Sequence, residues 1–291
     1  MPRSRKAKPA KSLDVRGFYH LLHLTGSEHP TVALFASGLV ITSICALRLR
    51  DAQRASLFFD NDDYGFFRGV TFTSKHPKRR QPLPMDFYAP IHGPVTLDAL
   101  RPMRYLALKM ESRDYIFPQP SFPRGGSVAD PKAVIKDLPA ATSTVIRQFR
   151  AMLTMPPLSL TESQAAELSG HSPRHLVQTL MRLWPKDFTK PERDEANRYA
   201  ATQDESSTRG SMPNRYSAEA EEHAVLPVIR RVLDKLAAVV DRVGLCKDGL
   251  PNVYSWKDLA DVSADALVVS DLPAEASSSG SASSDSEATL T

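Results

Sequence analysis

Between Thr31 and Leu47 the chain carries no charged residue, and then three of the next four positions, Arg48, Arg50 and Asp51, are charged. A run this apolar must be covered, either by the rest of the protein or by lipid. It reaches only the lower length limit for a membrane span, roughly 17 residues. It also holds Ser37, Gly38, Thr42 and Ser43 and runs straight into charge. The sequence therefore predicts a helix buried in a core, apolar on all sides, with its polar end reaching to about Ala55, and no membrane association.

The chain has 291 residues, room for one large domain or two small ones. Lysine and arginine number 37 against 33 aspartate and glutamate, a formal charge of +4. That balance is compatible with a polyanionic partner without demanding one. The clustering says more. Arg3, Arg5, Lys6, Lys8 and Lys11 lie together near the N-terminus, and Lys75, Lys78, Arg79 and Arg80 lie together further on. Asp271, Glu275, Asp285 and Glu287 fall in a Ser-rich stretch, so the part expected to fold is more basic than the total. Residues 1–12 are expected to be a disordered basic arm, a nuclear-localisation signal or a DNA-contacting segment. Residues 13–270 are expected to form the domain, and 271–291 a disordered acidic tail. The two cysteines, Cys45 and Cys246, make no zinc pattern and are expected to be reduced, buried thiols of an intracellular protein. The basic N-terminal stretch has no apolar run directly behind it, so no signal peptide is expected.

Strand signals follow the apolar helix. Ser56–Phe59, a turn cluster at 60–65, Phe66–Lys75 and Gln81–Tyr88 predict a small antiparallel sheet whose second turn carries the basic cluster. Val70 and Phe72 share one face, Thr71, Thr73 and Lys75 the other. Residues 117–140 are punctuated by proline and glycine and predict a connecting loop. Residues 142–154 predict a helix. Over 158–243 four helices are expected, marked by capping boxes at Thr161-x-x-Gln164 and Thr189-x-x-Glu192, a helix end at Gly170, and Ser172-Pro173 as N-cap and first position of a helix over 173–184. Ile229, Val232, Leu233, Leu236, Val239, Val240 and Val243 predict an amphipathic helix ending at Gly244, with Pro227 kinking or breaking its start. The fold class expected is mainly α with a small antiparallel β-sheet.

One ordered set of residues points to a chemistry. Arg48 lies in Ala-Leu-Arg-Leu-Arg-Asp, and Lys75 closes Val-Thr-Phe-Thr-Ser-Lys. His171 and Arg174 form His-Ser-Pro-Arg, and Tyr216 ends Met-Pro-Asn-Arg-Tyr. Two arginines suit the non-bridging oxygens of a phosphodiester, because a guanidinium offers a planar fork that stays charged. A lysine whose pKa falls near other cations can serve as general acid, and a tyrosine among cations as nucleophile. His171 and Arg174 fall at the predicted N-terminus of the 173–184 helix, where backbone N–H groups and the helix dipole favour an anion.

In this order, Arg…Lys…HxxR…Tyr resembles the catalytic domain of the tyrosine recombinase (integrase) family over about residues 30–243. The resemblance implies an integrase-like fold and metal-free, cofactor-free cleavage and rejoining of double-stranded DNA through a 3′-phosphotyrosine. It also implies a homotetramer on DNA and, together with the basic arm, a nuclear location. Arg48 matches the family's first box, with Arg50 the competing choice and Asp51 anchoring the turn. Lys75 matches the β-hairpin lysine, with His76, Lys78, Arg79 and Arg80 extending along the DNA. Tyr216 is the expected nucleophile and Tyr199 its rival. Tyr199 in Glu-Ala-Asn-Arg-Tyr-Ala stands where the family carries His or Trp, and only about 30 residues precede the helix that leads into the first box, too few for the helical DNA-clamping domain of family members. Both departures favour an alternative, a decayed integrase domain that binds DNA without cutting it. A type IB topoisomerase shares the same chemistry.

Overall fold

Two helices open the fold, α1 (Val15–Leu24) and α2 (Pro30–Ile44). The protein is seen here as a computed structural model that describes residues 11–58, 66–73, 83–90, 114–124, 126–194, 196 and 218–269. Asp14 caps α1 by accepting from the Gly17 N–H at 2.7 Å, and Val15, Phe18 and Leu21 form its buried face. Pro30 is the first residue of α2, where its missing N–H costs nothing.

Every residue of α2 from Thr31 to Ile44 is buried, as the charge-free run demands. Its hydroxyls would be costly there if unpaired. They bond back one turn instead: Ser37 Oγ donates to the Ala33 carbonyl at 2.7 Å, Thr42 Oγ1 to Gly38 at 2.6 Å, and Ser43 Oγ to Leu39 at 2.8 Å. α2 is wrapped by α1, by α4 (Thr142–Leu153) and by α6 (Leu176–Leu183), with α3 (Leu49–Ala52) following it. Among the described residues, no helix is long and apolar enough to cross a membrane.

Three strands follow, β1 (Ala55–Phe58), β2 (Phe66–Thr73) and β3 (Leu83–Pro90), in an antiparallel sheet of order β1-β2-β3. Gly69 and Thr71 are buried, while Val70 on the other face is half-buried. The Gly69–Phe87 pairing explains this choice of face. A Cβ at Gly69 would lie 2.7 Å from Phe87 Cε1, so the ring lies over the glycine. The turn carrying Lys75, His76, Lys78, Arg79 and Arg80 lies outside the described residues.

Residues 117–140, expected to be a loop, instead contain β4 (Pro118–Ser121) and β5 (Val134–Pro139), a second antiparallel pair. Prolines at 118 and 120 hide the strand in the sequence because proline supplies no ladder N–H. A register shift between Pro118 and Gln119 accommodates one of them. Helix α5 (Glu162–Ala166) has the expected capping box, Thr161 with Gln164. The Thr189–Glu192 box is present as well, opening a helical turn at 190–194. The long helix α7 (Ala218–Val243) passes through Pro227 without ending, and Gly244 follows it with φ +73°. Helix α8 (Trp256–Val269), opened by a Ser255–Asp258 capping box, packs on α6 and α7. Mainly helical with a small antiparallel sheet, the coarse fold class matches expectation.

Cys45 is buried, its thiol donating to the Tyr88 carbonyl at 3.2 Å, whereas Cys246 is half-buried rather than buried; neither forms a disulfide.

His20 makes the fold sensitive to acid. It is fully buried between α1 and α4, and its Nε2 lies 2.9 Å from the Met152 carbonyl oxygen. That oxygen only accepts, so Nε2 carries the proton and Nδ1, which is buried without a hydrogen-bond partner, is bare. Burial lowers the His20 pKa, the bond to Met152 opposes this, and His23 adds to it. With the folded pKa depressed, His20 contributes stability above its unfolded pKa of about 6.5, lost as pH falls through that value. The urea midpoint is expected to drop between pH 7.5 and 5.5, and to drop less in His20→Gln. Identical pH dependence in the two proteins would reject this account.

Candidate functional site

The site begins where α2 ends. Ala46 adopts φ +52°, the left-handed conformation usually left to glycine. The Leu47 N–H bonds the Thr42 carbonyl at 3.0 Å and the Ala46 N–H that of Ser43 at 3.4 Å, the paired bonds of a Schellman end. A non-glycine residue there costs about 1–2 kcal/mol, so the fold spends strain to reverse the chain at this point. Arg48 is thus not in a polar end that continues the buried helix, as expected, but is the N-cap of a separate one. It is extended at φ −75°, ψ 143°, and its carbonyl accepts from the Asp51 and Ala52 N–H groups at 2.9 Å.

Helix α3 is pinned from two sides. The Thr71 hydroxyl of β2 donates to the Asp51 carbonyl at 2.6 Å, and the Ile116 N–H donates to that of Ala52 at 2.8 Å. The Asp51 carboxyl is turned inward, 4% exposed, with Oδ2 lacking a hydrogen-bond partner.

The segment carrying His171 and Arg174 arrives from far along the chain and is seated on this turn. A Cβ at Gly170 would lie 3.2 Å from Leu49 Cδ1 and 3.2 Å from Ile146 Cδ1, so a side chain here would push both back by a few tenths of an ångström, and glycine gives the loop its close seat. Gly170 is therefore a packing glycine and not the expected helix end; α5 stops at Ala166. Arg150 of α4 forks onto the Leu168 carbonyl through Nε at 2.9 Å and Nη2 at 2.8 Å, fixing the approach.

The helix expected over 173–184 starts later than the sequence suggests. Pro173–His175 form a single 3₁₀ turn, and the α-helix begins at Leu176. Ser172 does not cap it. Its hydroxyl accepts from the Ser169 N–H at 2.9 Å and donates to the Lys11 carbonyl at 2.5 Å. Arg174 is therefore held in a tight turn, 4% exposed.

Arg48, Asp51, His171 and Arg174 form one electrostatic cluster. Burial and then the Arg48 charge pull the Arg174 pKa down to about 10, opposed by Asp51, so it stays charged at neutral pH. Burial, followed by Arg174 and Arg48, lowers the pKa of the exposed His171, which is therefore neutral at pH 7. His175 is pushed the same way by burial, Arg174, His171 and Arg182. Burial raises the Asp51 pKa, while Arg48, Arg174, Arg50 and Arg54 oppose the rise in that order. Arg50 is exposed and acts on Asp51 less than Arg48 and Arg174 do.

Chemically, the cluster is a pair of guanidinium groups around one buried carboxylate, with a neutral imidazole at its edge. It suits an anion with several acceptor oxygens. Among the described residues, no group of three or more His, Cys, Asp or Glu is placed to hold a metal ion. Lys75, Tyr199 and Tyr216 lie outside the described residues. The anchors Arg150, Gly170 and Ser172 have no functional signature in the sequence; only the serine and glycine hinted at a local boundary.

Comparison with protein-family models, curated proteins and solved structures finds no match to this chain.

Proposed function

We propose that the chain cleaves and rejoins double-stranded DNA through a phosphotyrosine, as the resemblance to the tyrosine recombinases implies, on an integrase-like fold. The observation that carries the reading is the meeting of Arg48 with His171 and Arg174. Residues more than a hundred positions apart share one net-cationic cluster, in which Arg174 and Asp51 are buried, Arg48 is half-buried and His171 is exposed. Ionisable groups perturbed by burial together with specific charged neighbours concentrate at functional sites.

In this reading the Tyr216 hydroxyl attacks the scissile phosphorus. The bond to the 5′-oxygen breaks, that oxygen takes a proton from Lys75, and a 3′-phosphotyrosyl link forms. Arg48 and Arg174 neutralise the non-bridging oxygens as charge develops on them, and Asp51 holds the two arginines at a fixed separation. Neutral His171 accepts and returns a proton at the edge of the site. Attack by a 5′-hydroxyl on the phosphotyrosine reverses the step, so the bond energy is conserved. His76, Lys78, Arg79 and Arg80 bind the flanking phosphates, a homotetramer assembles on two DNA sites, and the protein acts in the nucleus.

Covalent trapping tests the proposal. Nicked and supercoiled DNA is incubated with the protein without divalent metal, denatured with detergent, and the adducted peptide mapped. An adduct at Tyr216, lost in Tyr216→Phe, is expected. An adduct at Tyr199 would keep the chemistry and move the nucleophile. Salt-sensitive binding with no adduct would replace cleavage by DNA binding alone, the outcome that Tyr199 in place of His or Trp favours.

A further inference from the structure

We infer that Gln178 is a positioning residue for the cluster: its amide oxygen accepts from the Arg174 guanidinium once a phosphodiester is bound, and so fixes the plane in which Arg174 presents its fork. The inference rests on the reading above, that the cluster takes a phosphodiester.

The other buried residues of α6, Leu176, Val177, Leu180 and Met181, are apolar, as a core-facing stripe requires. Gln178 interrupts them. It is 8% exposed, and among the described residues its Oε1 has no hydrogen-bond partner. A buried amide oxygen left unmatched costs stability that an apolar side chain of similar shape would not. Packing alone therefore does not account for a glutamine here.

Its place on the helix names the donor. Gln178 follows Arg174 by four positions along a continuous helical run, so the two share one face, with Cβ atoms roughly 5–6 Å apart. Helical side chains lean toward the N-terminus, which tips the Gln178 amide over the turn that holds Arg174. The Trp184 indole N–H is also buried without a partner among the described residues. It lies six residues further on, about 240° around the helix from Gln178, and so on another face.

A guanidinium carries its N–H donors in one plane. A phosphate takes two of them along one edge, and the Asp51 carboxylate acts on the same arginine. Arg174 is 4% exposed, so the donors that these leave over need acceptors inside the protein. Glutamine supplies one without adding a second negative charge, which would cancel the attraction for phosphate.

The test uses the full chain with Gln178→Met and Gln178→Leu, which remove the acceptor and keep an apolar stem in its place. Inorganic phosphate is titrated into each protein. Solvent exchange of the arginine side-chain N–H groups is followed by NMR, the Arg174 signals being those lost in Arg174→Lys. In the unaltered protein phosphate is expected to slow exchange at Arg174. In both variants phosphate affinity is expected to fall about tenfold, as for loss of one hydrogen bond to a charged group. Saturating phosphate should then leave Arg174 exchanging faster than in the unaltered protein. The melting temperature without phosphate should hold or rise, because an unmatched acceptor has been removed. Affinity within about twofold of the unaltered protein, with Arg48→Ala still weakening binding, would overturn the inference and leave the reading of the cluster standing. A melting temperature that falls together with the affinity would make the amide a support of the helix and would also overturn it. Phosphate binding indifferent to Arg48 and Arg174 would remove the reading of the cluster, and the inference with it.

Discussion

Arg174→Lys is expected to slow formation of the covalent DNA adduct by about 10²–10³-fold, the usual cost of removing one oriented donor from a developing oxyanion. The substitution keeps the formal charge and loses what the site is built around. A guanidinium can hold two phosphate oxygens in its plane, whereas an ammonium is a compact, strongly hydrated point charge. Arg174 is 4% exposed, so a lysine there would also be stripped of water beside Arg48 and would surrender its proton more readily than arginine does. Arg48→Lys is expected to act in the same direction. Adduct formation is followed in time under single-turnover conditions, with the melting temperature measured alongside. Arg182→Lys, on an exposed position of α6, is the control and should leave the rate unchanged. A rate for Arg174→Lys within threefold of the unaltered protein would remove Arg174 from the chemistry.

The parts of this fold legible in the sequence are those set by local pattern. A run without charge becomes a helix buried all round, apolar and aromatic runs set off by turn residues become β1 to β3, and Thr-x-x-Gln and Thr-x-x-Glu become capping boxes. What misleads is local chemistry overruled by distant contacts. Ser172 has the composition of an N-cap, but its hydroxyl is drawn to Lys11, 161 positions away. Pro227 should interrupt a helix at about 3 kcal/mol. Val228, Ile229, Val232, Leu233, Leu236, Val239 and Val240 lie buried along the helix that follows, and their burial outweighs the proline. Pro118 and Pro120 disguise a strand in which they nonetheless sit opposite Pro139 and Ile135 of β5. The candidate site was half legible. Residue types and order singled out Arg48, His171 and Arg174, but the Ala46 reversal that aims Arg48 and the Gly170 seat that brings the other two onto it are tertiary features, and no spacing encodes them.

The two arginines depend on packing one layer further in, and Gly38→Val is expected to expose that dependence. A Cβ at this fully buried position of α2 would lie 2.6 Å from Phe117 Cε1 and 2.9 Å from Ile116 Cγ2, and valine adds two methyl groups beyond it. Neither neighbour can retreat freely. The Phe117 ring is packed on Phe35 with centroids 5.7 Å apart, and both residues are fully buried. Overpacking of this kind costs about 3 kcal/mol, partly offset by up to about 1 kcal/mol of helix propensity regained on replacing glycine. A net loss of about 2 kcal/mol or more is expected in urea denaturation. Phe117→Leu in the same chain should return part of it, because the smaller side chain vacates the contested space. The displacement should also reach the site. The Ile116 N–H is bonded to Ala52 at 2.8 Å, and Gln53 is bonded to the Phe117 N–H and carbonyl, both at 3.2 Å. Pushing residues 116 and 117 outward therefore pulls on α3, whose N-cap is Arg48. Adduct formation per folded molecule is expected to fall in Gly38→Val and to recover with Phe117→Leu. A stability change below about 0.5 kcal/mol, the range of neutral surface substitutions, would mean that α2 can shift away from Phe117. A loss of stability with an undiminished rate would mean that Arg48 is held by β2 through Thr71 alone.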